Sequence, residues 1–332
     1  ISYYRSMEAL TSSTSGYLFG YNQPLAVYPS RLESKDLTWE KTAMYNVGVD
    51  FAVLKKRLEF SFEAYYSMTT DLLLSVKLPT STGFDSRYTN IGATENKGVE
   101  FSITSHNIAK KNFSWNTTFT IAHNAQLVLD TGSSDYISAY SSPTNNSYMM
   151  FGYVNGYPLN ALWGFKEVGV WHTQDQIDRN KETKAYVSSS SSRYKPGYPY
   201  YVDTNHDGAL NEDDLVYLGS ADPIVYGGLQ NTFHVGKFRL SVYFNYSVGG
   251  KIYNLSELWM RGSSYTNQYR YMLDAWHPVR NPESNIPGAY RSDELPSSKM
   301  VYDASYIRLK NISLGYTFDL RKKTKHLRDI TV

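Results

Sequence analysis

From Tyr201 to Gly219 the chain reads YVDTNHDGALNEDDLVYLG. Asp203, Asn205, Asp207, Ala209, Asn211 and Asp214 fall on positions 1, 3, 5, 7, 9 and 12 of a calcium loop, with Gly208 at position 6. Ca²⁺ is a hard cation that takes about 6–8 oxygens. Alternating carboxylates and amides on a tightly turning backbone can bring that many to one point; Ala209 would offer its carbonyl. Position 12 is Asp, where an EF-hand carries a bidentate Glu. The flanks are not two amphipathic helices either: Tyr198, Tyr200, Tyr201 and Val202 precede the loop and Pro223 soon follows it. The spacing predicts a structural Ca²⁺ loop set in a β-protein. The same residue types also make metal-free Asx turns.

No second constellation points to chemistry. The seven histidines (His106, His123, His172, His206, His234, His277, His326) are scattered, and none sits in an H-E-x-x-H pattern. With no cysteine there is no thiol chemistry, disulfide or cysteine-ligated zinc. Gly227–Gly228 and Gly249–Gly250 fit strand ends better than a phosphate loop. An enzyme has no positive signal, and a polysaccharide-degrading one would need a carboxylate pair across a cleft. A net charge of +2 is too balanced for nucleic acid. The basic run Arg321–Lys325 reads as a solvated turn.

The elements that carry the loop are legible as period-two runs. Tyr45, Val47, Val49 and Phe51 alternate with Met44, Asn46, Gly48 and Asp50 inside 40–54. Leu58, Phe60, Phe62, Ala64, Tyr66 and Met68 alternate with Glu59, Ser61, Glu63, Tyr65, Ser67 and Thr69, about twice the ordinary strand length. Further alternating runs cover 99–104, 113–121, 238–248 and 311–318, and an incomplete strand is expected near 16–21. One face of each run is apolar and aromatic, and the other is wholly polar. No stretch of about 18 apolar residues exists, but a membrane strand needs only ~9–11.

Either a soluble sandwich or a membrane barrel satisfies that pattern. The connections discriminate. Residues 55–57, 108–111 and 235–237 are tight turns, whereas 71–97, 124–222 and 249–304 are long and polar. Counted along the strands, all short turns fall at one end and all long loops at the other. That is the asymmetry of an outer-membrane barrel. The predicted fold is therefore all-β, part of a large antiparallel transmembrane β-barrel with long extracellular loops and short periplasmic turns. Residues 126–223 form a long extracellular region holding the 203–214 loop. Trp259 and Trp276 are the weak substrate-binding candidates among the loop aromatics, which more often pack against their own loops.

Several segments, in order over nearly the whole chain, resemble the SusC/RagA family of TonB-dependent outer-membrane transporters. They include DLTWEKTAMYNVGVDFAVLKKRLEFSFEAYYSMTTDLLL at 36–74, NIGATENKGVEFSI at 90–103 and VNGYPLNALWGFKEVGVW at 154–171. GSADPIVYGGLQNTFHVGKFRLSVYFNYSVGGKIYN at 219–254, MLDAWHPVRNPESNIP at 272–287 and SYIRLKNISLGYTFDL at 305–320 continue the series. The resemblance implies a barrel of about 22 strands with an internal plug. It implies glycan or peptide uptake across the bacterial outer membrane, TonB-coupled energy and a SusD-like surface lipoprotein as partner. It also implies that residues 1–332 are the C-terminal portion of such a barrel, with the plug domain, the TonB-contacting segment and the last strands lying outside them. The competing expectation is a soluble secreted carbohydrate-binding or adhesin module stabilised by calcium.

Overall fold

The computed structural model describes residues 7, 9–13, 26–84, 86–132, 135–141, 148–180, 195–261, 267–288, 295–319 and 329–332. The strand expected near 16–21 lies outside the described residues.

Eight strands form one wall: β1 Lys41–Val53, β2 Leu58–Thr70, β3 Ala93–Lys110, β4 Phe113–Asp130, β5 Val225–Val235, β6 Phe238–Val248, β7 Tyr306–Asp319 and β8 Asp329–Thr331. They are hydrogen-bonded in sequence order, each antiparallel to the next. Because side chains alternate with period two, register fixes which residues share a face. One row runs Phe51, Phe60, Ile103, Phe119, Leu229, Phe244 and Leu309 from β1 to β7. The adjacent row on the other face runs Asp50, Ser61, Ser102, Thr120, Gly228, Asn245 and Arg308.

The apolar rows have no second sheet over them among the described residues. Phe51, Phe62, Phe238, Ile312 and Leu314 are 50%, 42%, 50%, 60% and 68% exposed. Water would penalise such a face at about 25 cal/mol per Å², and hydrocarbon would not. A sandwich core is thereby excluded, and the apolar face is the lipid face of a barrel wall. The polar face is concave, with a hollow of about 750 Å³ against Glu63, Glu100, Thr120 and Asn245.

The tight turns lie where the alternation places them, with one correction. The β3–β4 turn is Lys111–Asn112, not 108–111. A β-bulge between His106 and Ile108 lets Ile108 continue in the strand opposite Trp115. β3 is also longer than its apolar alternation, since polar residues fill both faces over Ala93–Lys97. No helix of the described residues is long and apolar enough to cross a membrane, which leaves strand crossing untouched.

The long connections carry structure of their own. Val216–Ser220, Ala161–Gly164, Met149–Val154 and Tyr136–Ser141 make one small sheet. Glu167–Val170 pairs with Pro199–Tyr201, and Lys251–Tyr253 with Val301–Asp303. The true hydrophobic core lies here: Met150, Leu162, Phe165, Leu295 and Met300 are fully buried. Among the described residues, Val128 is the only buried apolar side chain that belongs to a wall strand. This loop dome is tied to the far end of β4, where Val128 N–H donates to the Tyr157 carbonyl at 3.0 Å and Leu159 N–H to that of Gln126 at 3.2 Å.

Candidate functional site

The wall presents a polar lumen surface. Glu63 and Glu100 are directly opposed across β2 and β3, and both are exposed. Two like charges facing each other are destabilising unless water screens them, so this face is hydrated. Glycines shape it. Gly98 lies opposite Tyr65, and a Cβ there would meet the Tyr65 ring at 2.4 Å. The missing side chain lets Tyr65 lie flat and donate to Asn124 Oδ1 at 2.9 Å. Gly228 receives the Tyr243 ring in the same way, at 2.6 Å from a would-be Cβ. The described lumen face is thus lined with tyrosines, hydroxyls, amides and carboxylates.

The 203–214 loop is closed by its own Asx side chains. Asp203 accepts from the His206 and Gly208 amides at 2.7 and 2.8 Å. Asp214 accepts from Thr204 and Asn211 amides at 2.7 and 2.9 Å. Asn205 and Asp207, both exposed, bond to each other and to the following turn, and Asp207 accepts from the Ala209 amide at 2.7 Å. Asn211 caps the 3₁₀ turn Glu212–Asp214. His206 at φ 60° and Gly208 at φ 82° give the chain its sharp reversal.

Asp203 and Asp214 are 2% and 0% exposed, and neither forms an ion pair with another described residue. Burial pushes the Asp214 carboxyl up and the nearby Asp203 charge adds to this, against the lowering effect of the Asn211, Thr204 and Asn205 amides. Two amides on Asp203 and three on Asp214 leave lone pairs on both carboxylates for a hard cation. Asp207 does not join them: no group of three or more acidic, His or Cys side chains is gathered among the described residues. The loop therefore offers a two-carboxylate seat with amide and carbonyl neighbours.

Trp276 is 7% exposed and covers Gly197, where a Cβ would lie 2.5 Å from the ring. The structure thus puts it inside the dome as a packing residue, because the missing Gly197 side chain makes room for the indole. Trp259 is on the short helix Leu255–Met260, and its side chain lies outside the described residues.

Spacing gave no sign of the buried charge cluster in the dome. Arg261 donates to Glu167 Oε1 at 2.5 Å; the two side chains are 4% and 0% exposed. Ser297 donates to Glu167 Oε2 at 2.5 Å, and Glu167 N–H donates to Ser298 Oγ at 3.1 Å. Burial opposes the Arg261 charge, and the Glu167 carboxylate more than offsets it, so its pKa is raised. The neighbouring Glu257 carboxylate, 3% exposed, accepts from Tyr302, whose hydroxyl is pushed up to about 12 by burial and by that bond. Ninety-four residues separate Arg261 from Glu167, so only the fold joins them.

An apolar outer face, a hydrated inner face and one-sided loops define a segment of outer-membrane barrel wall. No family model matches the chain. It is 32% identical over 302 residues to TonB-dependent receptor P26 of Formosa agariphila, covering 88% of this chain and 29% of that protein. It is 28% identical over 310 residues to TonB-dependent receptor SusC of Bacteroides thetaiotaomicron, covering 90% and 28%. The chain therefore belongs with the TonB-dependent receptors of the SusC/RagA kind and resides in the outer membrane; it spans less than a third of the length of these relatives. In fold it is similar to the RagAB peptide transporter, with a TM-score of 0.73 at 21% identity over 97% of this chain and 33% of that one. It is also similar to the RagAB peptide importer in its "open-open" state, with a TM-score of 0.74 at 20% identity over 100% and 35%.

Proposed function

We propose that this chain is the C-terminal barrel portion of a TonB-dependent nutrient importer that takes up an oligosaccharide or peptide and works with a SusD-like surface lipoprotein. The observation that carries the reading is the uncovered apolar face set back to back with a hydrated, tyrosine-faced wall. Such a wall guides a polar oligomer along spaced hydroxyl, amide and tyrosine contacts without holding it tightly. Energy would reach the cargo path through a plug and its TonB contact. The similarity to SusC and to the RagAB peptide transporter supports the class of cargo as an oligomeric nutrient. The test is uptake of labelled oligosaccharides and peptides by cells carrying or lacking the complete receptor, with and without TonB. Loss of uptake in both deletions is expected, and undiminished uptake without the receptor sinks the reading.

Within that protein, Ca²⁺ at 203–214 is structural. Asp203 and Asp214 would hold it, with Asn205, Asp207, Asn211 and the Ala209 carbonyl as the remaining donors. The bound charge would offset the cost of ionising two buried carboxylates and hold a long extracellular loop in one shape. Chelation is expected to speed hydrogen exchange across 198–219 and leave the wall strands unchanged. Identical exchange with and without chelator removes calcium from the account.

A further inference from the structure

The three described tight turns have a common chemistry that import does not use. The β1–β2 turn carries Lys55, Lys56 and Arg57; the β3–β4 hairpin carries Lys110 and Lys111; the β5–β6 turn carries Lys237. All six are exposed, and among the described residues none forms an ion pair. No acid lies in these turns. The acids of the first hairpin, Asp50 and Glu59, share the polar lumen face, and Glu59 faces His106 at 3.8 Å. The hairpins are consecutive in the sheet, so the bases recur about every 10 Å along one rim.

A second observation sits just beyond this rim on the lipid side. The first lipid-facing rows are aromatic: Phe113, Phe238 and Tyr316, then Trp115 stacked on Phe233 with ring centroids 5.7 Å apart. The next row is a polar notch where hydrocarbon contacts are expected. Trp115 Nε1 and Thr117 Oγ1 both donate to Asn231 Oδ1, at 2.9 and 2.7 Å. Asn107, the extra residue of the bulge, donates to Thr117 Oγ1 at 2.8 Å. The Asn231 amide N–H groups are left without a described protein partner. Asn231 is four residues from the turn, roughly 13 Å along the strand and about 10 Å in depth at the usual tilt. That is the inner edge of the interfacial zone, where lipid ester carbonyls lie.

We propose that this rim binds anionic phospholipid headgroups of the periplasmic leaflet. The turn lysines engage the phosphate, and the Asn231 amide engages the ester carbonyls above it. The rim thereby fixes the depth of the wall in the membrane. The run Arg321–Lys325 lies outside the described residues and is not part of this site.

The proposal rests on the orientation of the wall and not on the cargo, so its test reads lipid and not transport. The complete receptor is reconstituted in vesicles, and immobilisation of spin-labelled phosphatidylglycerol is compared with that of phosphatidylcholine. At low salt the preference for phosphatidylglycerol is expected to be on the order of five- to tenfold. Neutralising K55Q, K56Q, K110Q, K111Q and K237Q together is expected to bring it close to one. Should that variant fail to assemble, ~0.5 M salt on the unaltered receptor and the K110Q/K111Q pair give the same reading, because exposed charges are screened at that ionic strength. Asn231→Leu is expected to lower the preference by a smaller factor. Equal immobilisation of the two lipids by the unaltered receptor overturns the proposal. So does a preference that survives neutralisation and salt.

Discussion

The wall and the dome bury their greasy residues by opposite means. In the wall, Phe51, Phe62 and Leu314 look outward and stay uncovered by protein. In the dome, Met150, Leu162, Phe165 and Met300 are sealed behind a buried ion pair, as in a soluble protein. One chain is therefore written for two solvents. The difference teaches that a buried apolar core marks the wetted part of this molecule, and continuous rows of exposed apolar side chains along paired strands mark the part that meets lipid. It also implies that the two regions fail separately.

The largest effect that would test this separation is in the dome. Arg261→Ala leaves the Glu167 carboxylate buried and unpaired, which costs about 3–5 kcal/mol. Limited proteolysis is expected to open the loops near Glu167 while heat-modified gel mobility still reports an intact barrel. A barrel that unfolds along with the dome would merge the two regions into one. The Glu167→Gln/Arg261→Met pair, which removes both charges, is expected to recover most of the loss.

Next comes the wall. Phe244 sits in the apolar row between Leu229 and Leu309. Phe244→Arg at mid-depth is expected to cost about 2–4 kcal/mol of barrel stability. Ser102→Arg, on the lumen row, is expected to cost much less. Denaturant titration of the reconstituted barrel checks both, and equal penalties would mean that the faces are misassigned.

A smaller effect is expected from pH in the calcium-like loop. The folded Asp214 pKa is raised, chiefly by burial. A raised acid disfavours the folded loop increasingly from its unfolded pKa upward, and in full above its folded pKa. Without metal, lowering pH through that value is expected to raise protection over 203–214 relative to the intrinsic exchange rate at each pH; with Ca²⁺ the sign reverses, because protonation expels the ion. The same sign in both conditions would separate the loop from any metal. The smallest expected effect is Tyr136→Phe. It removes an exposed bond to Glu212 at 2.9 Å, worth about 0.5 kcal/mol, and is expected to change only local exchange.

The sequence revealed the wall because a half-buried strand must alternate, and alternation survives without knowledge of partners. Phe238–Val248 is read with its observed boundaries for that reason. It misplaced the β3–β4 turn because the extra residue at the His106/Ile108 bulge breaks period two without any local marker. The 203–214 spacing is legible since its backbone closes on itself. The Glu167–Arg261 pair is not, since its partners meet only after the small loop sheets form. Trp276 reads from the sequence as a loop aromatic that could meet substrate, and only the Gly197 contact reveals it as packing.

The 18-residue strands β3 and β4 carry a last consequence. A bilayer needs about ten residues of each, so their upper ends run on past the lipid as a stiff post. The Tyr157 and Leu159 bonds fasten the dome to that post rather than to the membrane surface. A thicker or thinner bilayer would then slide along the hairpin without shifting the dome relative to the lumen mouth, leaving the entrance geometry indifferent to the fluidity of its surroundings.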